Sequence, residues 1–137
     1  MRTRLLAIAL AMLVAGASAQ VFACGFCIED RVAAVYDQKV VDDAVARRHE
    51  VAFFAIEGPL GANAAFRRAV LAALEGGGAI RGTARVAVEN AACSVAFDPA
   101  KADPARLAAA AERRLSARGL TLTPLRVLDS RGRLREP

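Results

Sequence analysis

His49-Glu50-Val51-Ala52-Phe53-Phe54-Ala55-Ile56 is the stretch on which the fold turns. From Val51 onward it is unbroken apolar sequence, rich in aromatic and branched side chains, and it stops at Gly58-Pro59. A strand with one wet face alternates apolar and polar residues, whereas an unbroken apolar strand is covered on both sides. Val51, Phe53 and Ala55 then face one way, and Ala52, Phe54 and Ile56 the other.

Toward the C-terminus, a helix is expected from about Ala62 to Glu75. Asn63 is its N-cap, and Phe66, Ala69, Val70, Ala73 and Leu74 form one apolar face. Gly76-Gly77-Gly78 ends it. Thr83 to Glu89 and Cys93 to Phe97 both alternate, with a short connection from Asn90, and read as a hairpin that buries one face. Asp103-Pro104 starts a second helix with an Asp cap and Pro at its first position. Leu107, Ala111 and Leu115 line its apolar face, and Gly119 closes it. Leu120 to Leu128 is a last strand. Pro124 has no donor for a ladder, which places that strand at an edge. Residues 129–137, with Arg131, Arg133 and Arg135, read as a loose tail.

From His49 the order is strand, helix, strand, strand, helix, strand. The expected fold class is therefore α+β, a ferredoxin-like βαββαβ domain over residues 49–128 with a four-stranded antiparallel sheet and two helices. Such a domain by itself leaves one sheet face open. Residues 28–48 are the candidate cover: Ile28, Val32, Tyr36, Val40 and Ala44 recur every four residues. Asp42-Asp43 is the expected place for a break in that helix.

Residues 1–19 read as a secretory leader. Arg2 and Arg4 precede an apolar run from Leu5 to Ala15, and Ala17-Ser18-Ala19 forms a small-residue cleavage site. The run is too short for a comfortable membrane span, so an exported protein, periplasmic or secreted, with no remaining span is expected. Val21-Phe22-Ala23-Cys24 also resembles a lipobox, which would make Cys24 a lipid anchor. The 137 residues carry a net charge of +5, of which Arg2 and Arg4 supply two. The rest is thinly spread, which argues against a nucleic-acid partner. A single histidine and the absence of a nucleophile elbow or a phosphate-binding glycine loop argue against hydrolytic and nucleotide chemistry.

The chemistry-bearing feature is Cys24-Gly25-Phe26-Cys27, at the start of the 20–48 segment. Two intervening residues let both sulfurs converge on one ion or close on each other. The position at a helix start favours thiolate, although Glu29 and Asp30 oppose it. Two thiolates make a soft site, suited to Cu(I) or Zn(II); two suffice for linear Cu(I), and zinc wants four ligands. Cys93 and His49 are the other candidate ligands. The same cysteines admit thiol–disulfide exchange, although a redox motif of this kind should follow a strand. They also admit a structural disulfide among Cys24, Cys27 and Cys93, stapling a non-catalytic interaction domain.

Residues 49–128 resemble the heavy-metal-associated domains, the ferredoxin-like modules of copper chaperones and metal-pumping ATPases. The resemblance rests on element order, the Val-rich hairpin ending in Phe97-Asp98-Pro99, the Asp103-Pro104 helix start and Gly119 before the last strand. The family holds its metal on Cys-x-x-Cys in the loop after the first strand. Here that loop is Gly58-Pro59-Leu60-Gly61-Ala62-Asn63, without a cysteine, histidine or methionine. The resemblance thus implies a fold and a metal-handling context with an unidentified protein partner, but its ligands do not transfer to this loop.

Overall fold

Branched and aromatic side chains favour a pleated backbone, and Val51, Phe53, Phe54 and Ile56 supply four of the eight positions of β1 (Glu50–Glu57). The computed structural model describes residues 27–137. In it β1 is the middle strand of a five-stranded sheet, with β2 (Arg85–Ala87), β3 (Ala92–Phe97), β4 (Thr121–Leu128) and β5 (Leu134–Arg135) in the order β2-β3-β1-β4-β5. All neighbours are antiparallel. The first four strands have the ferredoxin-like order expected from the sequence, so the fold is α+β of that type.

Two further elements complete the βαββαβ core. Helix α3 (Ala64–Glu75) begins where Asn63 accepts the Phe66 N–H at 2.8 Å. Helix α4 (Pro104–Leu115) begins where Asp103 accepts the Arg106 N–H at 2.9 Å. Their apolar faces, including Phe66, Val70, Leu74, Leu107, Ala111 and Leu115, pack on Ala52, Phe54, Ile56, Cys93, Val95 and Phe97. At the far end of β1, Gly58 has φ of +115°, and a Cβ there would strike the Gly119 carbonyl oxygen. A side chain is excluded at Gly58 both by backbone conformation and by this close approach.

The opposite face of the sheet is covered by two helices, α1 (Ile28–Ala34) and α2 (Gln38–Ala46). Val32, Val35, Val40, Val41 and Ala44 enclose Val51, Phe53, Ala92, Ala96 and Leu128. The break between the helices falls at Val35 to Asp37, not at Asp42-Asp43. Asp37 is extended and accepts the Val40 N–H at 3.1 Å, which restarts the helix. Asp42 and Asp43 remain helical and are satisfied one turn away, by Gln38 and Lys39, each at 2.7 Å. The polar link is built into the sheet. Ser94, the one buried polar residue among those described, donates to the Val35 carbonyl at 2.9 Å.

Residues 129–137 are an ordered hairpin arm rather than a loose tail. Asp129 accepts the Arg131 and Arg133 N–H groups, each at 2.9 Å, and so forms the turn. Leu134 and Arg135 then pair with Leu128 and Val127. Arg135 closes on Glu50 at 2.8 Å. This fifth strand makes β4 an edge only along Thr121–Arg126. Pro124 sits in that uncovered part, beside a bulge where Leu125 is the extra residue. At the other edge β2 is shorter than the expected Thr83–Glu89. There the Arg67 guanidinium donates to the Val86 carbonyl at 3.2 Å, which blunts the open ladder.

Ser94→Ala leaves the Val35 carbonyl buried without its donor. The expected cost is about 1–3 kcal/mol in urea unfolding, because an orphaned buried acceptor loses its full desolvation cost. A change near zero would show that water or a shifted donor replaces Ser94.

The Val40 amide, and after it the Arg85 guanidinium, hold the Asp37 carboxyl below its ordinary 3.8. A depressed carboxylate contributes stability above its unfolded value, and that contribution is lost as pH falls through the folded value. Asp37→Asn keeps an acceptor for Val40 but cannot titrate. Its stability should therefore fall less steeply than that of wild type between roughly pH 5 and pH 2. Parallel acid titrations followed by circular dichroism would undercut the assignment.

Candidate functional site

Cys27 is the residue that leads into α1. Its backbone is extended, with φ −61° and ψ 147°, and its carbonyl accepts the Arg31 N–H at 3.1 Å. It is half-buried, at the end of a helix that Val32, Val35 and the Ser94 hydrogen bond fix to the sheet. Cys24 lies outside the described residues, as do the leader over 1–19 and the lipobox-like sequence.

Cys93 is placed quite differently. It is 0% exposed, lies between Phe54 and Val86 in the ladder, and belongs to the core under α3 and α4. Burial pushes its thiol well above the ordinary 9.0. A thiol so enclosed neither ionises nor meets a reagent readily. Strand alternation turns Ser94 toward α1 and Cys93 away from it. The sheet therefore stands between Cys93 and the helix that Cys27 begins, and the structure does not bring these two cysteines together.

His49 lies at the join of α2 and β1, where its N–H donates to the Ala44 carbonyl at 2.8 Å. It lines a cleft of about 240 Å³ with Lys39, Asp43, Arg47, Arg81 and Arg85. Asp98, held below the ordinary carboxylate range first by the Ala100 N–H, lies within electrostatic reach of His49. Among the described residues, no group of three or more His, Cys, Asp and Glu side chains is arranged to hold a metal ion. His49, Cys27 and Cys93 thus occupy three separate environments. The loop of residues 58–63 joins β1 to α3 as an exposed connection, with Leu60 at its surface.

Beside α1 lies a feature that sequence reasoning missed. An apolar groove of about 390 Å³ runs between Ile28, Val32 and Tyr36 on one side and Arg126 and Leu134 on the other. The groove exists because α1 does not cover all of β4. The bulge at Leu125 and the polar residues Thr121, Thr123 and Arg126 leave this side of β4 without an apolar surface to attract the helix. Tyr36 and Leu134, 41% and 50% exposed, are two of the three large apolar side chains at the surface among the described residues. Tyr36 also stacks on Phe53, with ring centroids 6.5 Å apart. The one signal in the sequence was Leu134, a lone large apolar residue among the arginines and acids of the last nine.

No family model, curated protein or solved structure matches this chain. No helix among the described residues is long and apolar enough to cross a membrane.

The thiol placements give a direct prediction. In folded protein under mild reduction, a maleimide should modify Cys27 within minutes, whereas Cys93 should react only once urea opens the core. Peptide mass mapping separates the two sites. Equal labelling of Cys93 in folded protein would mean that the sheet opens far more readily than its packing implies.

Proposed function

We propose that this is an exported soft-metal carrier that holds Cu(I) between the thiolates of Cys24 and Cys27 and hands it to a protein partner. The observation that carries this reading is the placement of Cys27. It stands partly exposed at the start of an anchored helix, while the third cysteine is enclosed beneath the other face of the sheet. The accessible thiol chemistry is then that of the Cys-x-x-Cys pair.

The donor count favours copper over zinc. Two thiolates complete a linear Cu(I) site, while zinc seeks four ligands, and Cys93 and His49 are held in other parts of the fold. Two-coordinate copper also leaves an open approach. A partner thiolate can enter as a third ligand before one of the two original sulfurs departs, so the ion is never released to water. The resemblance to heavy-metal-associated domains supports the same context. In this chain the pair would lie on an N-terminal addition instead of the loop at 58–63.

Reduced protein titrated with Cu(I) against a competing chelator should bind one ion per chain. Loss of an outer-shell partner alone typically weakens a metal site 10–100-fold, so Cys24→Ser or Cys27→Ser should each cost at least about 100-fold. Cys93→Ser, which touches only the core, should leave the affinity unchanged. If the double variant Cys24→Ser/Cys27→Ser binds Cu(I) as tightly as wild type, the proposal fails.

A further inference from the structure

The cleft of about 240 Å³ that His49 lines lies between α2 and the segment leading into β2. Lys39, Asp43 and Arg47 stand one turn apart along one side, and Arg81 and Arg85 come from the other. Its apolar lining is Val40, Ala44, Ile80 and Ala96. The segment that carries Arg81 is fixed to β3. The Ile80 N–H donates to the Ala96 carbonyl at 2.8 Å, and the Thr83 hydroxyl donates to the Ile80 carbonyl at 2.6 Å. That hydroxyl also accepts the Ala96 N–H at 3.1 Å. The cleft is thus formed by pinned backbone on both sides.

Two of its four cations are already matched. Lys39 pairs with Asp43 at 2.7 Å, and Arg85 with Asp37 at 2.8 Å. Arg47 and Arg81 are exposed, and among the described residues neither has a carboxylate at ion-pair distance. The acids nearby are engaged elsewhere. Asp43 senses Arg47 electrostatically but hydrogen-bonds Lys39. Glu75, which shares a neighbouring cavity with Arg81, accepts the Gly82 N–H at 2.8 Å. Asp98, within reach of His49, accepts the Ala100 N–H and pairs with Lys101. The carbonyl end of a helix repels anions, yet here it is covered by its own chain. The Ala44 carbonyl accepts the Arg47 and His49 N–H groups, and the Val45 carbonyl accepts the Arg48 N–H. Two unmatched guanidinium groups therefore stand over an apolar floor.

We infer that this cleft binds a dianionic phosphate group, free or as the monoester of a small apolar alcohol or phenol, through Arg47 and Arg81 with His49 beside them. Two planar guanidinium forks match a tetrahedral dianion in both charge and geometry, whereas one carboxylate balances only one of them. A cavity of about 150 Å³ accepts a benzene ring, so about 240 Å³ holds a ring over Val40 and Ile80 with its phosphate at the rim. The site uses no cysteine and stands apart from the proposed metal pair.

Amide NMR of the whole chain, near neutral pH and in dilute salt, follows titrations with phenyl phosphate, inorganic phosphate and benzoate. Saturable shifts are expected at Ala44 to His49 and Ile80 to Thr83, with a Kd for phenyl phosphate on the order of 1 mM or tighter. Arg47→Gln and Arg81→Gln should each weaken it about 10-fold or more, as loss of a charge-assisted hydrogen bond does. Lys101→Gln, outside the cleft, should leave it unchanged. Both arginines are exposed, so the variants should keep the wild-type amide spectrum, and Arg81→Lys, which retains charge but loses the fork, should recover part of the affinity. Phenyl phosphate binding tighter than inorganic phosphate assigns the ligand to monoesters; equal or weaker binding assigns it to free phosphate, and both support the site. Shifts that do not saturate, affinity that survives both glutamine variants, or benzoate binding as tightly as phenyl phosphate would overturn it.

Discussion

The structure depends on a strand that has no solvent side. Every residue from Val51 to Ile56 is buried, and neither face of β1 can be left to water. A four-stranded ferredoxin-like sheet with its two helices satisfies only one of those faces. The second cover, α1 and α2, is therefore part of the folding unit and not an ornament in front of it. Its attachment combines apolar contact with one buried hydrogen bond. Val32, Val35, Val40, Val41 and Ala44 supply the area, and Ser94 fixes where the link between the helices sits. Area is non-directional, so directed polar contacts, Ser94 to the Val35 carbonyl and Arg85 to Asp37 at 2.8 Å, give the pair a defined position.

The same alternation partitions the sulfur chemistry. Neighbouring residues of β3 point to opposite sides, and this separates Ser94, which serves the outer cover, from Cys93, which fills the inner core. Cys93 behaves there as a small apolar side chain between Phe54 and Val86. A two-residue shift of β3 would keep Cys93 inside; a one-residue shift would turn it toward α1 and bury Val95 and Phe97 against the wrong helices. Register thus keeps Cys93 on the side of the sheet away from α1.

Much of the architecture was legible because it rests on local chemistry. Asn63 and Asp103 begin helices since their side chains satisfy amides that nothing else can reach. The unbroken run in β1 announced two covers, and the period-four stripe after Cys27 supplied the second. The misplaced helix break had a physical cause. Asp42 and Asp43 look like a stop, yet each finds a partner on the preceding turn, while Asp37 acts as a cap one turn earlier. The fifth strand was hidden because a two-residue ladder has no periodicity to read, and its turn is held by Asp129, whose cap-like role depends on Arg131 and Arg133. The groove was hidden for a different reason. It lies beside the Leu125 bulge of β4, and a bulge is a relation between two strands, invisible in either alone.

The pairing of β1 with β4 sets the order in which this chain can become a protein. Residues 50–57 need partners at 92–97 and also at 121–128, close to the end of the sequence. Contacts so distant along the chain form slowly, since a long loop must close before any is made. While the chain is being synthesised, its most apolar strand has no completed sheet to join until residues 121–128 have emerged. The nascent polypeptide therefore cannot close its core early.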